Sequence, residues 1–194
     1  MSEHTFISVG DSPYKKQMST RIIFALVNIV GGVLVLGGYA WCLGTYPEDR
    51  EALWGGVQGP LRNIFALSMI PAASGYLTFC YVSIFKGGAM TYGKAAVMGE
   101  NTIVILTIVF LISAAMWMPS SMAYIRSGDG AWWIVCVVSL WVTALSLLVM
   151  TGVTAISPVD TMSETSKFAS VVGLAYITFH CLMLDAIVWV LSFN

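Results

Sequence analysis

Five long apolar blocks, separated by short breaks that contain polar residues, glycine or proline, dominate the pattern along the chain. The blocks cover residues 21–46, 61–85, 101–125, 131–156 and 168–193. A helix of about 20 apolar residues spans a hydrocarbon layer of about 30 Å, so each block is long enough to cross one. None of them has the alternating pattern of membrane barrel strands. The sequence therefore predicts an all-α integral membrane bundle of five transmembrane helices with short loops.

The same pattern predicts the domain organisation. Residues 1–20 carry charged side chains and no apolar block, so we expect a solvated tail ahead of one five-span domain over 21–194. Between the third and fourth spans the break at 126–130 is short. Because so short a connection leaves no room for a crossing, these two spans are expected to be antiparallel neighbours.

Composition supports a membrane environment and argues against a nucleic-acid partner. Hydrophobic residues make up 58% of the chain and charged residues 10%, whereas soluble domains carry about 25% charged residues. The lipid bilayer is therefore the expected surroundings. The net charge of −1 provides no basic excess for a phosphate backbone, so we expect no nucleic-acid partner. Four cysteines are scattered through apolar runs without metal-ligand spacing, which predicts free thiols: Cys42, Cys80, Cys136 and Cys181.

The basic residues of the short loops predict an orientation. Basic residues accumulate on the cytoplasmic side of membrane proteins. If the N-terminus is cytoplasmic, more basic residues lie inside than outside. The inner ones are Lys15, Lys16, Arg21, Lys86, Lys94 and Lys167, and the outer ones are Arg50, Arg62 and Arg126. We therefore expect the N-terminus in the cytoplasm and the C-terminus on the opposite side. The pattern does not indicate which membrane of the cell holds the protein.

Aromatic residues gather toward the predicted outer side. The group comprises Tyr39, Trp41, Tyr46, Trp54, Trp117, Tyr124, Trp132, Trp133 and Trp189. Trp and Tyr are enriched at membrane interfaces, so an interfacial belt is the first interpretation. The alternative is the wall of an aromatic binding pocket.

Span one contains small and polar residues at helical spacing. Gly31 and Gly38 are separated by seven residues, and small residues at such spacing let two helix backbones approach closely. We expect helix packing, either against another span of the same chain or against a second protomer. Asn28 is expected to form a hydrogen bond across that contact, with a polar lining for a permeation path as the alternative.

Two further positions have a structural and a functional interpretation. Pro71 lies inside span two, where its missing N–H predicts a kink, or alternatively a broken helix that lines a cavity. Glu100 precedes span three, where an acid interacts favourably with the helix N-terminus. Handling of protons at the cytoplasmic mouth is the alternative for Glu100.

Span five carries the polar residues of greatest interest, Tyr176, His180 and Asp185. An ionisable group in hydrocarbon is costly unless it is paired or hydrated, so each marks a candidate site. Tyr176 and His180 are four residues apart and share a helix face. His180 and Asp185 are five apart, about 140° around an α-helix, so we expect them not to form a pair.

Partners for these residues are predicted from depth and helix position. Asp185 and Arg62 both fall in the outer half, so we expect an ion pair that joins span five to span two, with a catalytic or ion-binding carboxylate as the alternative. For His180 we expect a neutral imidazole bonded to a backbone carbonyl or to a hydroxyl of span four, where Ser139, Thr143 and Ser146 form a polar stripe.

Three classes of function remain. A non-enzymatic assembly or structural subunit of a membrane complex, associating with other membrane subunits or with itself, is the first hypothesis. A small oligomeric transporter or channel for an ion or small solute, coupled to protons in one version, is the second, motivated by Asn28, Pro71, His180 and Asp185. A lipid-modifying enzyme using His180, Tyr176 or Glu100 is the third. Only two histidines and no cluster of metal-ligating residues are present, so we expect no haem, metal or other cofactor.

Overall fold

A computed structural model describes residues 13–92, 99–159 and 162–193. Within these ranges the chain forms helices and turns and no strand. Its main helices are α1 (Pro13–Thr45), α2 (Gly59–Phe85), α3 (Gly88–Thr91), α4 (Thr102–Ser127), α5 (Gly130–Ile156), α6 (Glu164–Phe179) and α7 (Val190–Ser192), with π-helical turns over His180–Trp189 joining α6 to α7. Short 3-10 turns occupy Pro47–Asp49, Ala52–Trp54 and Gly99–Asn101.

Among the described residues, five helical segments are long and apolar enough to cross a membrane, which confirms the number of such helices predicted from the sequence. They are Thr20–Thr45, Gly59–Phe85, Thr102–Ser127, Gly130–Ile156 and Glu164–Ser192. Helix α1 itself begins earlier, at Pro13. The expected tail therefore includes part of α1, and residues 1–12 lie outside the described residues.

The helices pack in a closed circuit, α1 to α4 to α5 to α6 to α2 and back to α1. The contact between α4 and α5 is the most extensive, as the short turn between them predicts. Gly128 ends α4 in the left-handed conformation with φ of 68°, and the Asp129 carboxylate accepts a hydrogen bond from the backbone N–H of Ala131 to start α5. These two caps reverse the chain within a few residues.

The two ends of the bundle hold different connections. At the C-terminal end, the 46–58 connection meets the chain terminus: the N–H of Gly56 donates to the carbonyl of Ser192. Arg126 at the end of α4 pairs with Asp49 at 2.8 Å in the same connection. The N-terminal end holds Arg21, Lys86 and the start of α6 around one cleft. Helix α1 therefore begins at one end of the bundle, and the last helix ends at the other.

Glycine permits two close helix contacts. A Cβ added to Gly31 would lie 2.5 Å from Leu111 of α4, so α1 packs within its own chain at this point, and Gly38 faces the same helix more loosely. A closer crossing joins α2 to α6, where a Cβ on Gly75 would lie 2.5 Å from the carbonyl oxygen of Gly173. Glycine spacing was interpreted only in span one, so this second crossing was not predicted.

Pro71 does not break its helix. Helix α2 runs continuously from Gly59 to Phe85 with Pro71 inside it, and Pro71 itself is exposed on the outer surface of the bundle. A broken helix lining an internal cavity, the alternative interpretation of this proline, is therefore wrong for this segment.

Candidate functional site

His180 and Asp185 form a pair because the helix changes pitch between them. The expectation that these residues point about 140° apart assumed an α-helix, and that expectation is wrong. From His180 to Trp189 the chain is π-helical, and its i to i+5 hydrogen bonding stacks residues five apart. Nε2 of His180 consequently lies 3.6 Å from a carboxylate oxygen of Asp185.

Ser68 joins this pair to helix α2. Nδ1 of His180 lies 2.9 Å from the Ser68 hydroxyl, which is also 3.4 Å from the Tyr176 hydroxyl. His180 and Ser68 are both buried. Their mutual hydrogen bond therefore gives the imidazole nitrogen and the hydroxyl a partner where water is excluded. Tyr176, Ser68, His180 and Asp185 thus form one continuous polar cluster between α2 and the fifth span.

Both partners expected for this cluster differ from those found. Arg62 does not pair with Asp185; its guanidinium binds Glu51 through two hydrogen bonds, of 2.6 and 3.1 Å. The reason is position, since Glu51 lies in the connection directly ahead of α2. His180 is bonded to Ser68 of span two, whereas Thr143 of the expected span-four stripe bonds to Ser113 of α4.

A cavity of about 380 Å³ opens beside Asp185 at the C-terminal end of the bundle. Its wall is mainly aromatic and aliphatic, and includes Tyr39, Leu53, Trp54, Phe65, Trp117, Met118 and Trp189. The Asp185 side chain is 24% exposed, whereas that of His180 is 7% exposed. The carboxylate is therefore the group of the polar cluster that a molecule in this cavity would meet.

Part of the aromatic group identified in the sequence consequently forms a pocket wall. Trp189 donates its indole N–H to the carbonyl of Leu53 at 2.9 Å and packs edge to face on Trp117. The indole nitrogen of Trp117 is buried and has no hydrogen-bond partner among the described residues. A buried donor without an acceptor costs free energy.

Charged residues surround the cavity mouth. Arg62, Glu51 and Arg50 line it, and the Arg62 guanidinium also lies 4.6 Å above the Trp54 ring. The hydrogen bonds from Arg62, and its positive charge, lower the pKa of the Glu51 carboxyl below its ordinary value. Arg50 donates to the carbonyl of Leu43 at the end of α1. The mouth is thus a network of satisfied charges that fixes the 46–58 connection.

The cluster contains a serine, a histidine and an aspartate, as hydrolase triads do. Within the described ranges, it lacks an oxyanion hole and a serine that a substrate can reach. Ser68 lies in the interior of α2, where the helix itself uses the neighbouring backbone N–H groups, so they cannot stabilise an oxyanion. Ser68 is also absent from the lining of the cavity, among the residues that the structure describes. The arrangement can hold and transfer a proton, but it does not present a nucleophile to a substrate.

The remaining candidate residues lie apart from the cavity. Asn28 joins α1 to α2, because its side-chain oxygen accepts from the Tyr76 hydroxyl at 2.6 Å and lies 3.2 Å from the Cys80 thiol. Glu100 has its backbone in the turn Gly99–Asn101, and its side chain lies outside the described residues. Across residues 13–92, 99–159 and 162–193, no three His, Cys, Asp or Glu side chains come together to hold a metal ion.

Sequence reasoning missed Ser68 and Glu51. Ser68 lies three residues before Pro71, and a hydroxyl inside an apolar span is a signal that could have suggested a partner for His180. Glu51 had no such signal, because its contact depends on the path of a loop. Comparisons of this chain with protein-family models, with curated proteins and with solved structures find no match.

Proposed function

We propose that this protein is a multi-pass membrane protein that binds a small, partly apolar solute in the cavity and couples its movement to a proton at Asp185. One observation carries the proposal. Asp185 faces the cavity on one side and lies 3.6 Å from His180 on the other. An ionisable group within a membrane-crossing helix costs free energy unless it is paired or hydrated, so it marks a candidate functional site.

The chemistry of the pair supports this coupling. A charged carboxylate in an apolar medium is costly, so Asp185 favours taking up a proton or facing a cation. His180 lies beside it, and its imidazole is a second group that can accept a proton. A solute that carries a cation or a hydrogen-bond donor would compete with the proton for Asp185. Its apolar part would contact the aromatic wall of the cavity.

Charge movement in reconstituted vesicles tests the proposal. Vesicles containing the protein, adsorbed on a solid-supported membrane, are expected to give a transient current after a step in pH. Asp185→Asn should reduce this current to the level of protein-free vesicles. Asp129→Asn is the matched control, because asparagine also caps a helix and Asp129 lies outside the cavity. Equal currents in wild type and Asp185→Asn, or no wild-type current above protein-free vesicles, would contradict the proposal.

Helix α1 favours a second candidate, the assembly subunit. Only 11% of its apolar window is buried within the chain, against 28% to 44% for the other four candidate spans of the described chain. Gly37 and Gly44 lie on this helix with open space around them, so another helix could approach closely. Co-purification of a stoichiometric membrane partner, or a homo-oligomer, through the α1 surface supports this candidate. A monomer in mild detergent and in native membranes contradicts it.

The orientation belongs to the same proposal. With the bundle in a membrane, the N-terminal end carries Arg21, Lys86 and Lys167, and the cytoplasmic side is where basic residues accumulate. We therefore place the N-terminus in the cytoplasm, and the cavity then opens on the opposite side. The side from which an impermeant reagent reaches each end of the bundle decides this orientation.

A further inference from the structure

A polar cleft of about 600 Å³ lies at the N-terminal end of the bundle, away from Asp185 and independent of the proposed function. Arg21 of α1 and Lys86 after α2 line it together with Ser163 and Ser166 at the start of α6. No carboxylate lines the cleft among the described residues. The acidic residue closest in sequence, Glu164, is in the first turn of α6 and is exposed. The polar part of the cleft lining therefore consists of positively charged groups and hydroxyl groups.

The two basic side chains of the cleft are unpaired in the part of the chain that the structure describes. Nε of Arg21 is buried without a hydrogen-bond partner. Lys86 lies over the face of the Tyr81 ring, 5.9 Å away, and has no carboxylate partner among the described residues. At the other end of the bundle, Arg62 and Arg126 each have a carboxylate partner. Arg21 and Lys86 both line the cleft, so their positive charges can form charge-assisted hydrogen bonds to an anion there.

The start of α6 adds further donors to the same cleft. The Ser163 hydroxyl caps the helix by accepting from the Ser166 N–H and donates to the Ser166 hydroxyl at 2.9 Å. The amides of a first helical turn have no partner within their own helix and favour anions. The apolar side chains of Phe85, Met90 and Met162 also line the cleft. This combination suits a phosphate group that is attached to, or lies beside, an apolar body.

We propose that this cleft binds a phosphate group, held by Arg21, Lys86 and the hydroxyls at the start of α6. Two sources offer that chemistry, the headgroup of an anionic phospholipid and free inorganic phosphate. Basic pockets between membrane helices on the cytoplasmic side recognise lipid headgroups in this way. Arginine and lysine form charge-assisted hydrogen bonds to phosphate oxygens, which are stronger than hydrogen bonds between neutral groups.

Native mass spectrometry of the purified full chain in detergent tests the proposal and separates the sources. Phosphatidic acid and phosphatidylcholine with identical acyl chains are added in parallel, and inorganic phosphate is added in a third arm. Wild type is expected to retain phosphatidic acid over phosphatidylcholine, and Arg21→Gln with Lys86→Gln should weaken that retention about tenfold. Arg126→Gln removes a positive charge at the other end of the bundle and should leave lipid retention unchanged.

Each outcome has a defined meaning. Retention of phosphatidic acid that survives excess inorganic phosphate assigns the cleft to a lipid headgroup. Displacement of the lipid by inorganic phosphate, or a rise in unfolding temperature with phosphate that the double variant loses, assigns it to free phosphate. If the double variant does not fold, Lys86→Glu is tested alone, because Lys86 is exposed. This variant should likewise retain phosphatidic acid less strongly than wild type does. Retention of both phosphate sources that is unaffected by these substitutions overturns the proposal.

Discussion

Ser68 shows how much of the site depends on one hydroxyl group. It lies 2.9 Å from His180 and 3.4 Å from the Tyr176 hydroxyl, and it is buried. Ser68→Ala would leave a buried imidazole nitrogen without a partner, which costs about 1–3 kcal/mol. We expect a lower unfolding temperature in detergent, measured by circular dichroism.

Ser74 provides the matched control for that substitution. It lies on the same helix, is exposed, and its hydroxyl donates to the carbonyl of Ile70 in the preceding turn. Ser74→Ala therefore removes a local bond and no interhelical one, so the unfolding temperature should change little. Equal unfolding temperatures for Ser68→Ala and wild type would show that the contact with His180 does not stabilise the fold.

Two residues of the site, Asp185 and His180, could be identified from the sequence, but their partners could not. Asp185 and His180 stand out because ionisable groups are rare in apolar helices. Pairing Asp185 with Arg62 used only their depth in the predicted membrane. Arg62 instead binds Glu51 in the connection before α2, because a loop carboxylate close in sequence needs no long-range arrangement to reach it.

At the scale of the helix, the change from α-helical to π-helical turns in the fifth span could not be predicted from the sequence. Apolar length predicts five helices, and Gly128 with Asp129 explains the turn between α4 and α5. A stretch of π-helix has no hydrophobic pattern of its own within a uniformly apolar segment. Only the structure places His180 and Asp185 on one face of the fifth span, and π-helical turns are frequent at functional sites.

The crossing of α2 and α6 gives a prediction at this scale. A Cβ on Gly75 would lie 2.5 Å from the carbonyl oxygen of Gly173, and because that atom is backbone, the helices themselves must separate. We expect Gly75→Ala to destabilise the protein by about 1–3 kcal/mol, the usual cost of overpacking. Thermal unfolding in detergent measures this cost.

Gly152 in α5 is the control, because no atom beyond the local backbone of its own helix lies within 4 Å of the Cβ it would gain. Alanine favours a helix over glycine by about 1 kcal/mol, so Gly152→Ala should be neutral or stabilising. Opposite signs for the two substitutions would identify the crossing as the cause. A neutral effect of Gly75→Ala would mean that α2 and α6 are farther apart than described.

At the scale of the whole molecule, the contacts place the turn at the end of α4 and the start of α6 at opposite ends of the bundle. If the five helices cross a membrane, Ser127 and Thr165 therefore face different compartments. Both residues are exposed, so a cysteine at either position is accessible to reagents. The native cysteines provide a low background, because Cys42, Cys80 and Cys136 are buried and Cys181 is only partly exposed.

Labelling of intact cells with a membrane-impermeant maleimide follows from this arrangement. Ser127→Cys should react from outside, and Thr165→Cys should react only after the membrane is permeabilised, because basic residues concentrate at the end that holds Thr165. Wild type measures the background of the native thiols. The reverse pattern would invert the orientation and retain the five crossings. Labelling of both positions from the same side would contradict a membrane crossing by α5, and with it the arrangement that sets the depth proposed for Asp185.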